Sequence, residues 1–393
     1  MLIGIIGKPS SGKSTFFKAC TLADVAIASY PFTTIEPNQG IGYVRIPCID
    51  SYFKVQCAPR EGFCRNHERF VPVKLIDVAG LVPEAHKGKG KGNQFLDDLR
   101  EADILIHVVD ASGTTDFNGN PAKGHDPCQD IEFLEQEIVM WLFGILEKNW
   151  NSISRKSQTA GKPLSYEIAQ QLSGLKINDD NVKDVMKRLE LSEKVSHWND
   201  NHILEFVKEI RKISKPIIIA ANKADLPESY ENIEHMKEQF PELAIIPCSG
   251  DSELALREAV NHSLIDYLPG NNNFHVTGKP NEKQKRALNF IKENVLKTYS
   301  STGIQQVLNS AVFDFLHYVA VFPAGTNKLA DSKGNILPDC YLIPPNTTAL
   351  DFAFKLHTDL GKNFVKAINI KTKKPVGKDY ILQNLDAIEI VTR

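Results

Sequence analysis

The chain has 393 residues, of which 42% are hydrophobic and 24% charged, and its 46 Lys and Arg against 48 Asp and Glu leave a formal net charge of −2. That length allows two to three domains with cores of their own, and the charge balance excludes a polycation wrapped along nucleic acid, so any RNA contact must come from local patches. Apolar runs are of strand length and none approaches a membrane span, while Met1-Leu2-Ile3 enters the first expected strand with no room for a signal peptide, so a cytoplasmic protein without a membrane partner is expected.

The apolar stretch Leu2 to Ile6 reads as a buried strand and passes directly into Gly7-Lys8-Pro9-Ser10-Ser11-Gly12-Lys13-Ser14, which fits the phosphate-binding pattern G-x-x-x-x-G-K-[ST]. A helix beginning there, over Thr15 to Cys20, aims successive N–H groups and its positive end at an anion. Gly7 and Gly12 let the backbone curl around phosphate, with Pro9, Ser10, Ser11 and Thr15 lining the loop. Lys13 would reach the β and γ phosphates and the Ser14 hydroxyl would sit on Mg²⁺. Further on, Tyr30-Pro31-Phe32-Thr33-Thr34 supplies hydroxyls for a switch loop, and Thr34 is favoured over Thr33 as the Mg²⁺ ligand.

Next comes an insert that bunches Cys48, Cys57, Cys64 and His67 among the basic residues Lys54, Arg60, Arg65 and Arg69. Four such ligands could close a tetrahedral zinc site, but no C-x-x-C knuckle is present, so loop packing is expected there and zinc is not. Seven scattered cysteines suit a reducing compartment. The strand Val71 to Ile76 then ends in Asp77-Val78-Ala79-Gly80, where Asp77 would hold Mg²⁺ through water and the Gly80 N–H would face the γ phosphate. Leu81 follows where Ras-like hydrolases carry a water-orienting glutamine, so intrinsic hydrolysis should be slow. His86, in the glycine-rich stretch after it, is a candidate to supply the missing function, and a solvated histidine is the equal alternative.

The continuous apolar run Ile104 to Asp110 reads as a central strand. Over a hundred residues then separate Asp110 from Asn222, and their pattern is helical. Helices are expected over Ile131 to Trp150, Tyr166 to Leu175, Val182 to Leu191 and Ile203 to Ile213, with Asn181 as an N-cap. The apolar run Pro216 to Ala221 leads into Asn222-Lys223-Ala224-Asp225, an N-K-x-D guanine motif. The Asp225 carboxylate can accept from both donors on the guanine edge, a pair that adenine lacks, while Asn222 and the Lys223 stem support loop and base. After Leu243 to Ile246, Ser249 and Gly250 are the expected backbone contacts to the guanine oxygen.

A returning helix over Leu254 to Leu268, helices over Glu282 to Leu296 and Thr302 to Phe315, a strand Tyr318 to Phe322, a helix Ala349 to His357 and an apolar alternation Ile381 to Val391 complete the reading. Lys362, Lys366, Lys371, Lys373, Lys374 and Lys378 could form an RNA-facing patch or a solvated face. Strands ending at Gly7, Asp77, Asp110, Asn222 and Ser249 should make one parallel sheet with the nucleotide at their carboxyl ends.

Tyr30-Pro31-Phe32-Thr33-Thr34-Ile35-Glu36-Pro37-Asn38, Asp77 through Pro83, and Ala85-His86-Lys87-Gly88-Lys89-Gly90-Lys91-Gly92-Asn93-Gln94-Phe95-Leu96 together resemble the Obg family of translation-associated GTPases, within it the YchF-type branch. Leu337-Pro338-Asp339, Ile343 to Ala353 and Leu356 to Gly361 are similar to a TGS domain, the module named for threonyl-tRNA synthetase, GTPase and SpoT. The resemblance implies an α/β P-loop GTPase, a doubly wound mostly parallel sheet, with a helical insertion and a C-terminal α+β TGS domain. On that basis residues 1–115 and 213–316 form the GTPase domain, the second part with additional helices, 116–212 the insertion and 317–393 the TGS domain. It also implies GTP/GDP and Mg²⁺ as ligands, with Lys13, Thr34, Gly80 and His86 at the chemistry, and the ribosome, its RNA or a translation factor as effector.

YchF-type proteins commonly lose the guanine motif and accept ATP, but it is intact here, so GTP is carried over. Ser10 stands where some relatives use an asparagine to bind K⁺, which weakens the case for potassium activation. A monomeric nucleotide switch is expected. A nucleotide-gated stress adaptor without ribosome contact, or a GTP-driven RNA-modification or metabolic factor, stays open.

Overall fold

The computed structural model describes residues 1–21, 38–78, 99–159, 161–326, 329–331 and 333–393. In chain order the elements begin with β1 (Leu2–Ile6), α1 (Lys13–Thr21), β2 (Gln39–Pro47), β3 (Phe63–Arg65), β4 (Glu68–Asp77) and β5 (Ile104–Asp110). Four helices follow, α2 (Pro127–Thr159), α3 (Leu164–Leu172), α4 (Asp179–Arg188) and α5 (Asp200–Ser214). Then come β6 (Ile217–Asn222), α6 (Ser229–Gln239), β7 (Ala244–Pro247), α7 (Gly250–Asn261), the short pair β8 (Ile265–Asp266) and β9 (His275–Val276), α8 (Glu282–Ile291) and α9 (Ile304–Asn309). The chain ends with β10 (Val319–Pro323), β11 (Tyr341–Ile343), α10 (Ala349–Leu356), α11 (Thr358–Lys362), β12 (Phe364–Asn369), β13 (Lys374–Val376) and β14 (Asp386–Thr392).

Two compact units result, Met1–Ala19 with Leu75–Ile304, and Cys20–Lys74 with Gln305–Arg393. In the first, the carboxyl end of β4 lies beside β1, and the sheet continues β1-β5-β6-β7. The pairs β1–β5, β5–β6 and β6–β7 are parallel, with Ile6 opposite His107, Asp110 opposite Asn222 and Ala221 opposite Pro247. Every residue of β5 and β6 is buried, which explains their unbroken apolar text. Because the register is flush, the residues following each strand emerge along one rim, where parallel α/β sheets bind ligands.

The helices α2 to α5 share a core with the sheet. Ile131, Leu134, Ile138, Leu142 and Leu146 make the buried stripe of α2, and Phe206 and Ile210 of α5 join Leu105, Val109 and Ile219 in the same cluster. Three sequence expectations shift here. The cap of α4 is Asn178, whose side chain accepts from the Asn181 N–H while Asn181 returns the bond, so the helix begins before the expected Asn181 cap. The expected last turn to Leu175 is a separate 3₁₀ turn, Ser173–Leu175. The helix after Ser249 ends at Asn261, the chain turns through Ser263 at φ +55°, and Ile265 and Asp266 pair as a strand with β9.

In the second unit β3 and β4 form an antiparallel hairpin and β2 pairs with β4. A separate five-stranded sheet runs β11-β10-β14-β12-β13, with Phe352 of α10 buried among Val321, Ile343, Ala367 and Ile388. The alternation read from Ile381 is split, since Ile381 makes only an isolated bridge to Thr348 and the strand starts at Asp386.

Candidate nucleotide site

The phosphate loop starts where β1 ends. A Cβ on Gly7 would come within 2.5 Å of the Val108 carbonyl oxygen, and one on Gly12, whose φ is +86°, within 2.2 Å of Asn222 Nδ2, so both positions require glycine. The Phe16 N–H donates to the Gly12 carbonyl at 2.8 Å, closing the first turn of α1 over the loop. Ser14 is exposed in this first turn, and Ser11 is fully buried with its Oγ unpartnered. The Lys13 ammonium donates to Asp77 Oδ1 and, at 3.0 Å, to the Val78 carbonyl. Lys13, Ser14 and Asp77 thus share one corner of the rim, the ammonium for phosphate and two hard oxygen donors of the kind Mg²⁺ takes.

The Asn222-Lys223-Ala224-Asp225 segment is tied to the loop after β1 by one side chain. Asn222 Nδ2 donates to the Ser11 carbonyl at 3.0 Å, and its Oδ1 accepts from the Gly250 N–H at 3.1 Å. Ser249 Oγ donates to Asp225 Oδ1 at 2.7 Å and also meets Ser252 Oγ at 2.7 Å, which fixes the Asp225 carboxylate at the start of α7. Glu253 on that helix accepts from Thr302 Oγ1 at 2.6 Å and from the Tyr267 hydroxyl at 2.8 Å, holding the Ser249 loop from behind. Residues near 222, 249 and 302 are therefore braced before any base arrives.

Lys223 does more than lend its stem. It sits at φ +63° and its Nζ donates to Asp110 Oδ2 at 2.7 Å. Burial opposes ionisation of Asp110, but the bonds from Lys223, Ser112 and Thr115 outweigh it and hold the carboxyl below its ordinary range. The signal for this partner was an aspartate closing a central strand beside the N-K-x-D strand.

A second buried charge pair had no such signal. Lys8 donates to the Thr115 carbonyl at 2.7 Å and pairs with Asp130 of α2 at 2.8 Å, and His125 Nε2 lies 2.9 Å from the same carboxylate. A Cβ on Gly119 would meet Pro9 at 2.7 Å, so the segment leading into α2 rests on the phosphate loop. Thr33, Thr34, Gly80, Leu81 and His86 lie outside the described residues. Gly7, Pro9, Ser10, Ser11, Gly12, Lys13, Ser14, Thr15, Asp77, Asn222, Lys223, Asp225, Ser249 and Gly250 all fall in the first unit.

Residues 2–141 match the family described as 50S ribosome-binding GTPase, residues 220–325 the Obg-like GTPase YGR210-like, G4 motif-containing domain, and residues 328–392 the TGS domain. A GTP-binding protein of Methanocaldococcus jannaschii is 45% identical over 392 residues, covering 100% of this chain and 99% of that protein. The ribosome-binding ATPase YchF of Buchnera aphidicola is 26% identical over 94% of this chain and 88% of its own length. The crystal structure of a GTP-binding protein from Pyrococcus horikoshii superposes with a TM-score of 0.79 at 40% identity, each chain covered completely. With an α/β P-loop GTPase fold, its own guanine motif and a C-terminal TGS domain, the chain belongs to the Obg-like, YchF-type family of GTP-binding proteins.

Proposed function

We propose that the protein is a Mg²⁺-dependent, slowly hydrolysing GTP switch that engages the ribosome in its GTP state. The observation that carries the guanine part is the pair of bonds from Asn222 to Ser11 and Gly250, with Ser249 on Asp225, which supports a base pocket built for guanine and coupled to the phosphate loop. Lys13 binds phosphate charge and Asn222 keeps base and phosphate in register. Ser14, Asp77 and Thr34 supply the oxygens that would hold Mg²⁺, which when bound neutralises charge on the β and γ phosphates. Thr34 and Gly80 order around the γ phosphate, and their release after hydrolysis is the switch. Leu81 supports a low intrinsic rate, with His86 or a partner completing the water-orienting function.

We assign the domains as the sequence motifs divide them, residues 1–115 and 213–316 to the GTPase domain, 116–212 to the insertion and 317–393 to the TGS domain, a functional division that differs from the two compact units. Ribosome engagement is supported by the printed names of the YchF relative and of the matched 50S ribosome-binding family. The exposed Lys362, Lys366, Lys373, Lys374 and Lys378 are the surface we assign to RNA, whereas Lys371 is occupied by a 3.1 Å bond to the Leu385 carbonyl. The protein acts as a cytoplasmic monomer in this reading, and among the described residues no helix is long and apolar enough to cross a membrane.

Co-sedimentation with purified ribosomes tests the whole reading. Wild type should pellet with ribosomes in a non-hydrolysable GTP analogue and stay in solution in GDP. Asp225→Asn should lose the response to the GTP analogue and regain it with the xanthosine counterpart, because the amide donates where the base now accepts. Equal pelleting in every nucleotide state would sink the switch, and unchanged guanosine preference in the variant would remove Asp225 from the base pocket.

A further inference from the structure

The insert between β2 and β4 gathers its thiols in a way that loop packing does not require. Cys48 follows the end of β2 and its N–H donates to the His67 carbonyl at 2.7 Å. A compact turn, closed by Tyr52 N–H to Ile49 O at 3.1 Å and Val55 N–H to Asp50 O at 3.1 Å, swings the chain back so that Cys57 returns to Cys48. The β3–β4 hairpin, turned by Asn66 and His67 at φ +55° and +60°, delivers Cys64 to the same place. Sγ of Cys48, Cys57 and Cys64 and an oxygen of Asp50 all lie within 4.8 Å of one another.

The spacings are those of a tetrahedron. With Zn–S about 2.3 Å and Zn–O about 2.0 Å, tetrahedral edges are about 3.8 Å between sulfurs and about 3.5 Å between sulfur and oxygen. Cys48 Sγ is 3.6 Å from Cys57 Sγ, and Cys64 Sγ is 3.7 Å from Asp50 Oδ2. Asp50 is fully buried, its Oδ2 accepting from the Cys57 N–H at 3.1 Å and its Oδ1 lying 2.8 Å from His67 Nδ1. A carboxylate held in this way is oriented like a metal ligand with its outer partner. Arg69 is buried with Nη1 3.6 Å from Cys57 Sγ, a fixed positive charge against an anionic cluster. Cys64 is only half-buried and leaves an entry path.

We propose that Cys48, Cys57, Cys64 and Asp50 form a tetrahedral, thiolate-rich zinc site, with His67 holding the Asp50 carboxylate from outside. This revises the sequence expectation twice, since zinc was not anticipated and His67 rather than Asp50 was the fourth residue considered. Three thiolates select zinc over the hard cations that carboxylates and carbonyls prefer. The role is structural. Within the same unit Ala58 N–H donates to Ile336 O at 2.8 Å, Arg60 N–H to Pro338 O at 2.9 Å, and Arg69 to Leu337 O and Pro338 O at 3.1 and 2.8 Å. The metal would lock the turn that makes these bonds to the start of the TGS segment.

The test is elemental analysis of the full chain, produced in zinc-replete medium and desalted. About one zinc per chain is expected, lost in Cys57→Ser and Cys64→Ser and kept in Cys248→Ser, a buried cysteine of the other unit. Replacement by Co²⁺ should give the visible absorption of a tetrahedral thiolate site. His67→Asn should keep the metal but weaken it by roughly 10- to 100-fold in chelator competition. Wild-type protein without stoichiometric zinc, with the three thiols freely alkylated or Cys48 joined to Cys57 as a disulfide, would overturn the proposal whatever the variants do.

Discussion

The phosphate loop and the cysteine insert both draw several polar groups onto one point, and they do so by different means. In the loop the tight turn leaves no room for a Cβ at Gly7, against the Val108 carbonyl, or at Gly12, against Asn222 Nδ2, so glycines at fixed spacing are the signature. In the insert the convergent atoms are side chains from the end of β2, a returning turn and one strand of a hairpin, nine and seven residues apart. A site made of backbone writes itself into adjacent letters. A site made of side chains on a folded frame becomes visible only when the frame is known.

The largest effect separates the two. Lys13→Ala removes the charge proposed to meet the phosphates and strips Asp77 of its cation, and truncating one partner of a charge pair across a binding interface costs about 2–5 kcal/mol, roughly thirtyfold to a few thousandfold in GTP affinity. The same variant should keep its zinc, because nothing in the cysteine cluster depends on it. Nucleotide titration and metal content on one preparation decide the matter, and tight GTP binding by the variant would dissolve the assigned phosphate site.

Acid should attack the sheet side through His107. This residue lies inside β5, and burial, then the nearby Lys8 ammonium, push its imidazole down to about 3. An unfolded histidine titrates near 6.5, so the unfolded chain binds more protons between these values. The neutral imidazole therefore contributes stability that is present above about 6.5 and lost as pH falls towards 3. Between pH 6.5 and 4 the loss is about 3 kcal/mol. His107→Leu should flatten that part of the stability profile measured by thermal unfolding, and an unchanged acid slope would show that His107 is protonated in the fold without penalty.

The same contrast explains what could be read in advance. The strands β5 and β6 were legible because full burial leaves continuous apolar text, and β1 and β7, buried over most or half of their length, because their apolar runs end at motif residues. Helices α2 to α5 were legible from their stripes, while the cap of α4 was misplaced by three residues because Asn178 and Asn181 are both capable and only the backbone conformation chooses. The bonds of Asp110 to Lys223 and of Lys8 to Asp130 join residues 113 and 122 positions apart, across elements whose adjacency the sequence does not state. Asp50 was overlooked as a ligand for the same reason. A carboxylate is common in turns, and only the fold shows it buried among three thiols.

The smallest effect probes how the frame places a side chain. Asn66 and His67 both occupy left-handed backbone, the conformation of a two-residue turn whose twist suits an antiparallel hairpin, and Phe63 stacks on Phe70 with ring centroids 4.3 Å apart to brace it. Asparagine tolerates this region because its side chain bonds locally, whereas alanine there costs about 1 kcal/mol and glycine costs nothing sterically. Asn66→Ala should therefore weaken zinc retention by about fivefold, since the strained turn must hold Cys64 in place, and Asn66→Gly should leave retention within that margin. Chelator competition on the full chain reads the difference. If alanine and glycine behave alike, the hairpin does not position Cys64, and the cluster must be held by the Cys48–Cys57 turn and Asp50 alone.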